Sequence, residues 1–221
     1  MRAPTILFDL DGTLSDSARG ILAALRHAFA VNGLPPMDAR TEREVLGPPF
    51  YESLPPLIGD VPLEPVIAAY RESYGAGGMF DTSVFPGVGE LVESLRSAGY
   101  RLAVATSKPE RYAIPIVEHL GLAEHFDVIG GDALDGSRGT KALVIADVLR
   151  RLGDPAPAGV WMVGDRRHDV EGARAHHIEA VGVRWGYALA GELEAAAPWA
   201  ICTTPTEVGE VLEAGRDAAA S

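Results

Sequence analysis

Short apolar runs closed by glycine or polar residues mark the chain from its start. Residues 4–10, Pro-Thr-Ile-Leu-Phe-Asp-Leu, are the first, and their length and composition predict a strand buried on both faces and ended by a turn at Gly12. Ser17 is placed to cap a helix reaching Val31, because Ile21, Leu22, Leu25, Ala28 and Phe29 recur on one face; Asn32-Gly33 and Pro35-Pro36 stop it. From there to residue 83 the helical patterns are short, at 41–46 and 63–74. Gly47-Pro48-Pro49, Pro55-Pro56 and Gly75-Ala76-Gly77-Gly78 separate them, and no strand is predicted between 16 and 83.

After Pro86 the pattern alternates. Helices are predicted over 87–98, 111–120 (interrupted or kinked at Pro115), 140–152 and from Asp169; strands over 101–105, 126–129, 159–163 and 180–183. Alternation of this kind predicts an α/β fold, a doubly wound (Rossmann-like) parallel sheet covered on both faces. The domain organisation expected is an α/β core from residues 1–15 and 84–221, with a small helical cap domain, residues 16–83, inserted after the first strand.

Composition narrows the partners. With 31 acidic against 19 basic residues the net charge is −12, which repels nucleic acid and anionic lipid. The single cysteine, Cys202, excludes an internal disulfide and a cysteine-cluster metal site. No run approaches the roughly 18 apolar residues of a membrane span, and acidic Asp9 and Asp11 stand where a secretory leader would be apolar. A soluble, cytoplasmic protein is expected, without nucleic-acid or membrane partners. Lys108 and Lys141 are the only lysines, every other cation being arginine. A lysine surviving under such a bias is weakly marked as needed.

Three predicted strands end in polar residues: Asp9/Asp11, Thr106/Ser107 and Gly164-Asp165. In an open parallel sheet, ligands bind at the carboxyl ends of strands. Asp, Ser and Thr also cap helices routinely, but three such ends in register, with Lys141 opening a further helix, favour a site. Asp9, Asp11, Asp165 and Asp169 together would require a cation, and an all-oxygen set suits Mg²⁺. A Thr106 hydroxyl and a Ser107 N–H would hold phosphoryl oxygens, and Lys141 would add a point charge at a helix N-terminus. These parts describe phosphoryl transfer. In the Asp-X-Asp pair one carboxylate can attack phosphorus and the other exchange protons with the leaving group and water.

Asp9-Leu10-Asp11-Gly12-Thr13-Leu14, Thr106-Ser107-Lys108-Pro109, Lys141 and Gly164-Asp165-Arg166-Arg167-His168-Asp169 resemble, in order, the four motifs of the haloacid-dehalogenase-like hydrolase superfamily. The resemblance spans essentially the whole chain. It implies Asp9 as nucleophile, Asp11 as general acid/base, and Thr106 and Lys141 as phosphate binders. It also implies Mg²⁺ on Asp9, the backbone carbonyl of Asp11, and Asp165, with Asp169 assisting directly or through water. The helical insertion matches the family's mobile cap. Leu46-Gly47-Pro48-Pro49-Phe50, Tyr70-Arg71-Glu72-Ser73-Tyr74, Phe85-Pro86-Gly87-Val88 and Trp185-Gly186-Tyr187 are similar to phosphoglycolate-phosphatase-like enzymes and their 5′-nucleotidase relatives. Ala142, where many relatives have proline, departs from the pattern.

The implied activity is Mg²⁺-dependent hydrolysis of a small phosphorylated metabolite through an aspartyl-phosphate. The alternatives are a 5′-nucleotidase or pyrophosphatase of the same family, a sugar phosphomutase, or an inactive phosphate-binding scaffold. A signalling receiver domain fits less well, since the chain is far longer and its Asp pair lies on the first strand. For specificity the candidates are Gly47, Pro48, Pro49 and Phe50, as a stiff turn entering the pocket, and Arg71. Trp185 and Tyr187 belong to the core or to the pocket rim.

Overall fold

The computed structural model describes residues 3–134 and 137–219. At its centre, strand β1 (Thr5–Phe8) is wholly buried, with Ile6 and Phe8 in one hydrophobic layer and Leu7 in the other. That alternation is the two-residue period of an extended chain, apolar on both faces as in a covered parallel sheet. β1 lies between β4 (Arg101–Pro109) and β6 (Val160–Gly164). Outward stand β5 (Val128–Asp132) on one side, and β7 (Glu179–Val183) and β8 (Ala200–Cys202) on the other. The order is β5-β4-β1-β6-β7-β8, all parallel. The chain winds one way from β1 and then the other, so the crevice above the carboxyl end of β1 is the expected ligand position.

Helices α6 (Val88–Ser97), α7 (Glu110–His119) and α11 (Pro205–Ala219) cover the Ile6/Phe8 layer, burying Leu91, Leu95, Ile116, Val117, Val208 and Leu212. Helices α8 (Lys141–Arg151) and α9 (Arg167–Ala175) cover the Leu7 layer through Val144, Ile145, Val148, Val170 and Ala173. Burying each large aliphatic side chain is worth roughly 1.5–3 kcal/mol.

The helical insertion enters and leaves through an antiparallel pair of two-residue strands, β2 (Ser15–Asp16) and β3 (Ser83–Val84). It contains α1 (Ala18–Val31), α2 (Ala39–Glu44), α3 (Phe50–Ser53), α4 (Pro55–Ile58) and α5 (Leu63–Gly75). Helices α1 and α5 pack together through Ile21, Leu25 and Ala28 against Val66, Ile67 and Tyr70.

The architecture agrees with the predicted doubly wound sheet carrying a helical cap, but local features differ: α3 was not expected, Pro55-Pro56 opens α4 where a joint was expected, and β5 begins at Val128 and not at residue 126. The β2–β3 pair was not expected, because two residues carry no readable period. Helix α7 runs through Pro115 without interruption: the proline removes one hydrogen bond, and burial of the flanking Ala113, Ile116 and Val117 holds the helix on the core. β4 extends past Ala105 to Pro109 with a register shift between Thr106 and Pro109. After Val183 the chain adds α10 (Glu192–Ala196), β8 and α11, none of them predicted. Among the described residues no helix is long and apolar enough to cross a membrane.

Candidate active site

The loop after β1 is a tight turn in which the N–H groups of Thr13, Leu14 and Ser15 all donate to the Leu10 carbonyl. Gly12 at its apex has φ +85°, and a Cβ there would stand 2.3 Å from Asp165 Oδ2. Conformation and space therefore both demand glycine. The turn brings Asp9, from the end of β1, beside Asp165, at the end of β6, and Asp169, in the first turn of α9. Carboxylate oxygens of these three buried residues lie within 4.8 Å of one another. Lys141, the first residue of α8, reaches in behind them. Its Nζ is 2.9 Å from Asp9 Oδ1, 2.8 Å from Asp169 Oδ1, and donates to the Ala105 carbonyl at 3.0 Å. Thr140 caps α8 by accepting from the Leu143 N–H, which fixes where that lysine starts.

Two of the three carboxylates, Asp9 and Asp169, thus share one ammonium. Burial, and then the charges of Asp169 and Asp9, push the Asp165 carboxyl well above its usual range. Burial, opposed by Lys141 and reinforced by Asp9, pushes Asp169 up to about 6. Burial works against the Lys141 charge, yet Asp169 and Asp9 hold its pKa above the ordinary value. Ionised together, the three would carry more negative charge than Lys141 balances, in a dry place, and their donors are all oxygen. A hard divalent cation of the Mg²⁺ type fits both facts. Asp165 is hydrogen-bonded by neutral donors, Thr13 Oγ1 at 3.2 Å and the Tyr187 N–H at 2.6 Å. Its charge is thus the least compensated of the three.

The Asp11 carboxylate faces elsewhere. Its Oδ1 accepts from Ser17 Oγ at 2.5 Å and its Oδ2 is 2.9 Å from Lys108 Nζ. Of the four residues expected at the metal, the side chains of Asp9, Asp165 and Asp169 come together and that of Asp11 does not. Thr106, buried in β4 where its register shifts, accepts from the Lys108 N–H at 3.2 Å and so shapes the Thr106-Ser107-Lys108 segment. The Lys108 ammonium donates to Tyr74 Oη at 2.8 Å. Burial disfavours its charge, but Asp11 and Tyr74 keep its pKa well above the ordinary value. The sequence marks Lys108 by the scarcity of lysine and by its place in the Thr106-Ser107-Lys108-Pro109 motif, and assigns it no role.

Ser17 occupies the N-cap position of α1, but its side chain does not cap the helix as expected, because the hydroxyl is given to Asp11. The phenol of Tyr187 takes over. It accepts from the N–H groups of Ser17 and Ala18, at 2.8 and 3.0 Å, and its Oη lies 3.0 Å from Asp16 Oδ1. Trp185 Nε1 donates to the Thr13 carbonyl at 3.0 Å. Both aromatics clasp the loop that carries Asp11 and stand outside the cleft lining. Tyr187→Phe removes a cap, so urea denaturation is expected to show a loss of about 1 kcal/mol; unchanged stability would show that the phenol contributes nothing as a cap.

Above the site a cleft enclosing about 110 Å³ opens between insertion and sheet. Its floor is Asp9, Asp11, Thr106, Ser107 and Lys108; Gly47, Pro48, Pro49, Phe50 and Arg71 line it from the insertion. Arg71 also donates to the Leu134 carbonyl at 3.1 Å. Phe50 meets Tyr70 edge-on at 4.6 Å, and Tyr70 stacks on Tyr74 at 5.2 Å between ring centroids. Gly47 has φ +102°, and a Cβ there would come within 2.7 Å of Arg166 Nη1. Arg166, held by Glu192 at 2.8 Å, donates to the Leu46 carbonyl and so seats this turn on the sheet domain. Lys141 and Ser107 also line an adjoining cleft with Pro49 and His168.

A sheet with this winding, an Asp-X-Asp turn, a lysine opening α8 and a Gly-Asp pair ending β6 defines a class. The chain belongs to the haloacid dehalogenase-like hydrolase family, which it matches over residues 6–183. It is similar to the solved structure of the Mycobacterium tuberculosis protein tyrosine kinase A, PtkA, at 43% identity with a TM-score of 0.83, covering 96% of this chain and 99% of that one. It is also 35% identical to a 5′-nucleotidase of Pseudomonas aeruginosa, over 96% of this chain and 97% of that one. A phosphoglycolate phosphatase of Pseudomonas fluorescens is 32% identical over 82% of this chain and 70% of its own.

Proposed function

We propose that the protein is a Mg²⁺-dependent phosphatase that hydrolyses a small phosphomonoester through an aspartyl-phosphate on Asp9. The observation that carries this reading is the placement of Asp9 and Asp11. Asp9 sits among the acidic trio with Lys141, and Asp11, two residues on, has its carboxylate turned toward the cleft side, held by Ser17 and Lys108. Two carboxylates in different surroundings suit different roles. Asp9 attacks phosphorus. Lys141 and the N-terminus of α8 stabilise charge on the phosphoryl oxygens, helped by the Thr106 hydroxyl and the Ser107 N–H. Asp11 protonates the leaving oxygen and then takes a proton from the water that cleaves the acyl phosphate. Asp9, Asp165 and Asp169 would hold the Mg²⁺, with the Asp11 carbonyl; bound there, the ion supplies neutralisation of the phosphoryl charge.

In this reading the core, residues 1–15 and 84–221, performs the chemistry common to all phosphomonoesters. The cap, residues 16–83, chooses the leaving group through Gly47, Pro48, Pro49, Phe50 and Arg71. The confined cleft supports a small leaving group, such as the glycolate or nucleoside that the names of two relatives indicate. A second reading, transfer of the phosphoryl group onto a protein tyrosine, is favoured by the likeness to PtkA. The fate of the phosphate distinguishes them: free inorganic phosphate for hydrolysis, phosphotyrosine on a protein for transfer.

The test is release of phosphate from p-nitrophenyl phosphate, phosphoglycolate and nucleoside monophosphates, with and without chelator. Activity is expected to vanish in excess chelator and return with Mg²⁺. Calorimetric titration with Mg²⁺ is expected to show a greater loss of affinity for Asp165→Ala than for Asp169→Ala, since Asp169 is already compensated by Lys141. Full activity in chelator would defeat the metal assignment, and no phosphate from any ester would defeat the phosphatase reading.

A further inference from the structure

Asp11 is held by two partners, and each leads to the helical insertion. Ser17 stands at the entry to α1. Lys108 reaches the insertion through Tyr74 of α5: its Nζ is 2.9 Å from Asp11 Oδ2, donates to Tyr74 Oη at 2.8 Å, and lies 4.7 Å from the centroid of the Tyr74 ring. Both residues are buried, Tyr74 with only 1% exposure. Tyr74 is itself wedged at the boundary, stacked on Tyr70 of the same helix and edge-on to Tyr112 of α7 at 5.8 Å. One ammonium thus binds a carboxylate of the sheet domain and a hydroxyl of the insertion together. Guanidinium is a planar fork with its charge spread over several donors, and it does not replace a compact ammonium at such a junction. That agrees with lysine standing here in a chain whose other cations are, apart from Lys141, all arginine.

We propose that Lys108 and Tyr74 are a positioning pair that couples the seating of α5 over the cleft to the orientation of the Asp11 carboxylate. With α5 seated, Tyr74 Oη and its ring fix the ammonium, and the ammonium holds Oδ2 of Asp11. With α5 lifted, Lys108 loses its hydroxyl partner and its aromatic wall, and Asp11 is restrained by Ser17 alone. Neither Lys108 nor Tyr74 takes part in bond making. The proposal rests on the phosphatase reading for its kinetic consequence, because there Asp11 is the proton donor to the leaving group. The physical coupling between α5 and residues 11–17 stands without it. Coupling of this kind is reciprocal, so a change at either end registers at the other.

The experiment combines kinetics with hydrogen exchange on the full chain, using Lys108→Met, Tyr74→Phe and the double variant. Tyr74→Phe keeps the ring and is expected to fold; Lys108→Met matches the lysine in length but leaves the buried Asp11 carboxylate to Ser17 alone, so a lower melting temperature is expected and a thermal melt accompanies its kinetics. For an alkyl phosphate, whose leaving group needs a proton, kcat/KM is expected to fall by about 10²-fold in Lys108→Met, the effect of a misplaced catalytic group. Tyr74→Phe should fall less. For p-nitrophenyl phosphate, whose leaving group needs little protonation, the change should be small. The double variant should match Lys108→Met alone, since both act through one contact. Amide exchange should rise over residues 63–75 in Lys108→Met and over 11–17 in Tyr74→Phe. Equal losses on alkyl and aryl esters, or additive losses in the double variant, would overturn the positioning role. If the wild type hydrolyses neither ester, the phosphatase reading fails and exchange alone decides: unchanged protection at the distant segment in both variants rejects the coupling.

Discussion

Asp9→Asn is expected to reduce kcat by at least about 10⁴-fold, the scale on which removal of a covalent nucleophile acts in other enzymes. The carboxamide keeps the size of the side chain but offers no anionic oxygen to phosphorus. Folding is expected to survive. Asp9 is one of three clustered buried carboxylates and shares Lys141 with Asp169, so neutralising it relieves repulsion on Asp165 and Asp169 even as it removes one partner of the lysine. The check is steady-state turnover of p-nitrophenyl phosphate alongside a thermal melt. A variant that keeps its melt and more than a tenth of wild-type kcat would remove Asp9 from the mechanism.

Asp11→Asn comes second in size. General acid–base groups contribute roughly 10²–10⁴-fold, and the loss should depend on the leaving group. An alkyl phosphate requires protonation of its departing oxygen and should show the full effect. With p-nitrophenyl phosphate the first step should be nearly normal, and the slowed step becomes hydrolysis of the acyl phosphate. Rapid-mixing measurements should then show a burst of p-nitrophenol followed by slow turnover. Equal losses in kcat/KM for both kinds of ester, without a burst, would show that Asp11 is not the proton donor.

Much of the sheet was legible because its strands are apolar on both faces. Ile6-Leu7-Phe8 and the Val160–Gly164 strand bury every residue, and their shortness and flanking glycines and prolines separate such runs from a buried helix. Strand β8 offers only three residues, at a sheet edge and behind an alanine-rich segment, so its pairing with Val181, Gly182 and Val183 was invisible. The β2–β3 pair depends on two strands closing a loop of more than sixty residues, which local pattern does not record.

The candidate site divides in the same way. Asp9, Asp11, Thr106, Lys141, Asp165 and Asp169 were readable because each ends a strand or opens a helix, and the parallel sheet gathers such ends at one edge. Contacts between side chains distant in sequence were not. The Ser17 hydroxyl looked like a helix cap, and only the fold reveals that Asp11 claims it while Tyr187, 170 residues away, caps α1 instead. Arg166 looked like an ordinary residue of the last motif, yet it holds the Leu46–Gly47 turn of the insertion. Lys108 showed its rarity in the sequence and its partners only in three dimensions.

The most direct measurement is capture of the covalent intermediate. Protein mixed with p-nitrophenyl phosphate and Mg²⁺, quenched in acid within the first turnovers, is digested and analysed by mass spectrometry. A single phosphoryl group is expected on the peptide containing Asp9, more abundant in Asp11→Asn, where its hydrolysis is slowed, and absent from Asp9→Asn. Sustained turnover with no phosphoryl group on either the wild type or Asp11→Asn, or with that group on a residue other than Asp9, would contradict the assignment of Asp9 as the nucleophile.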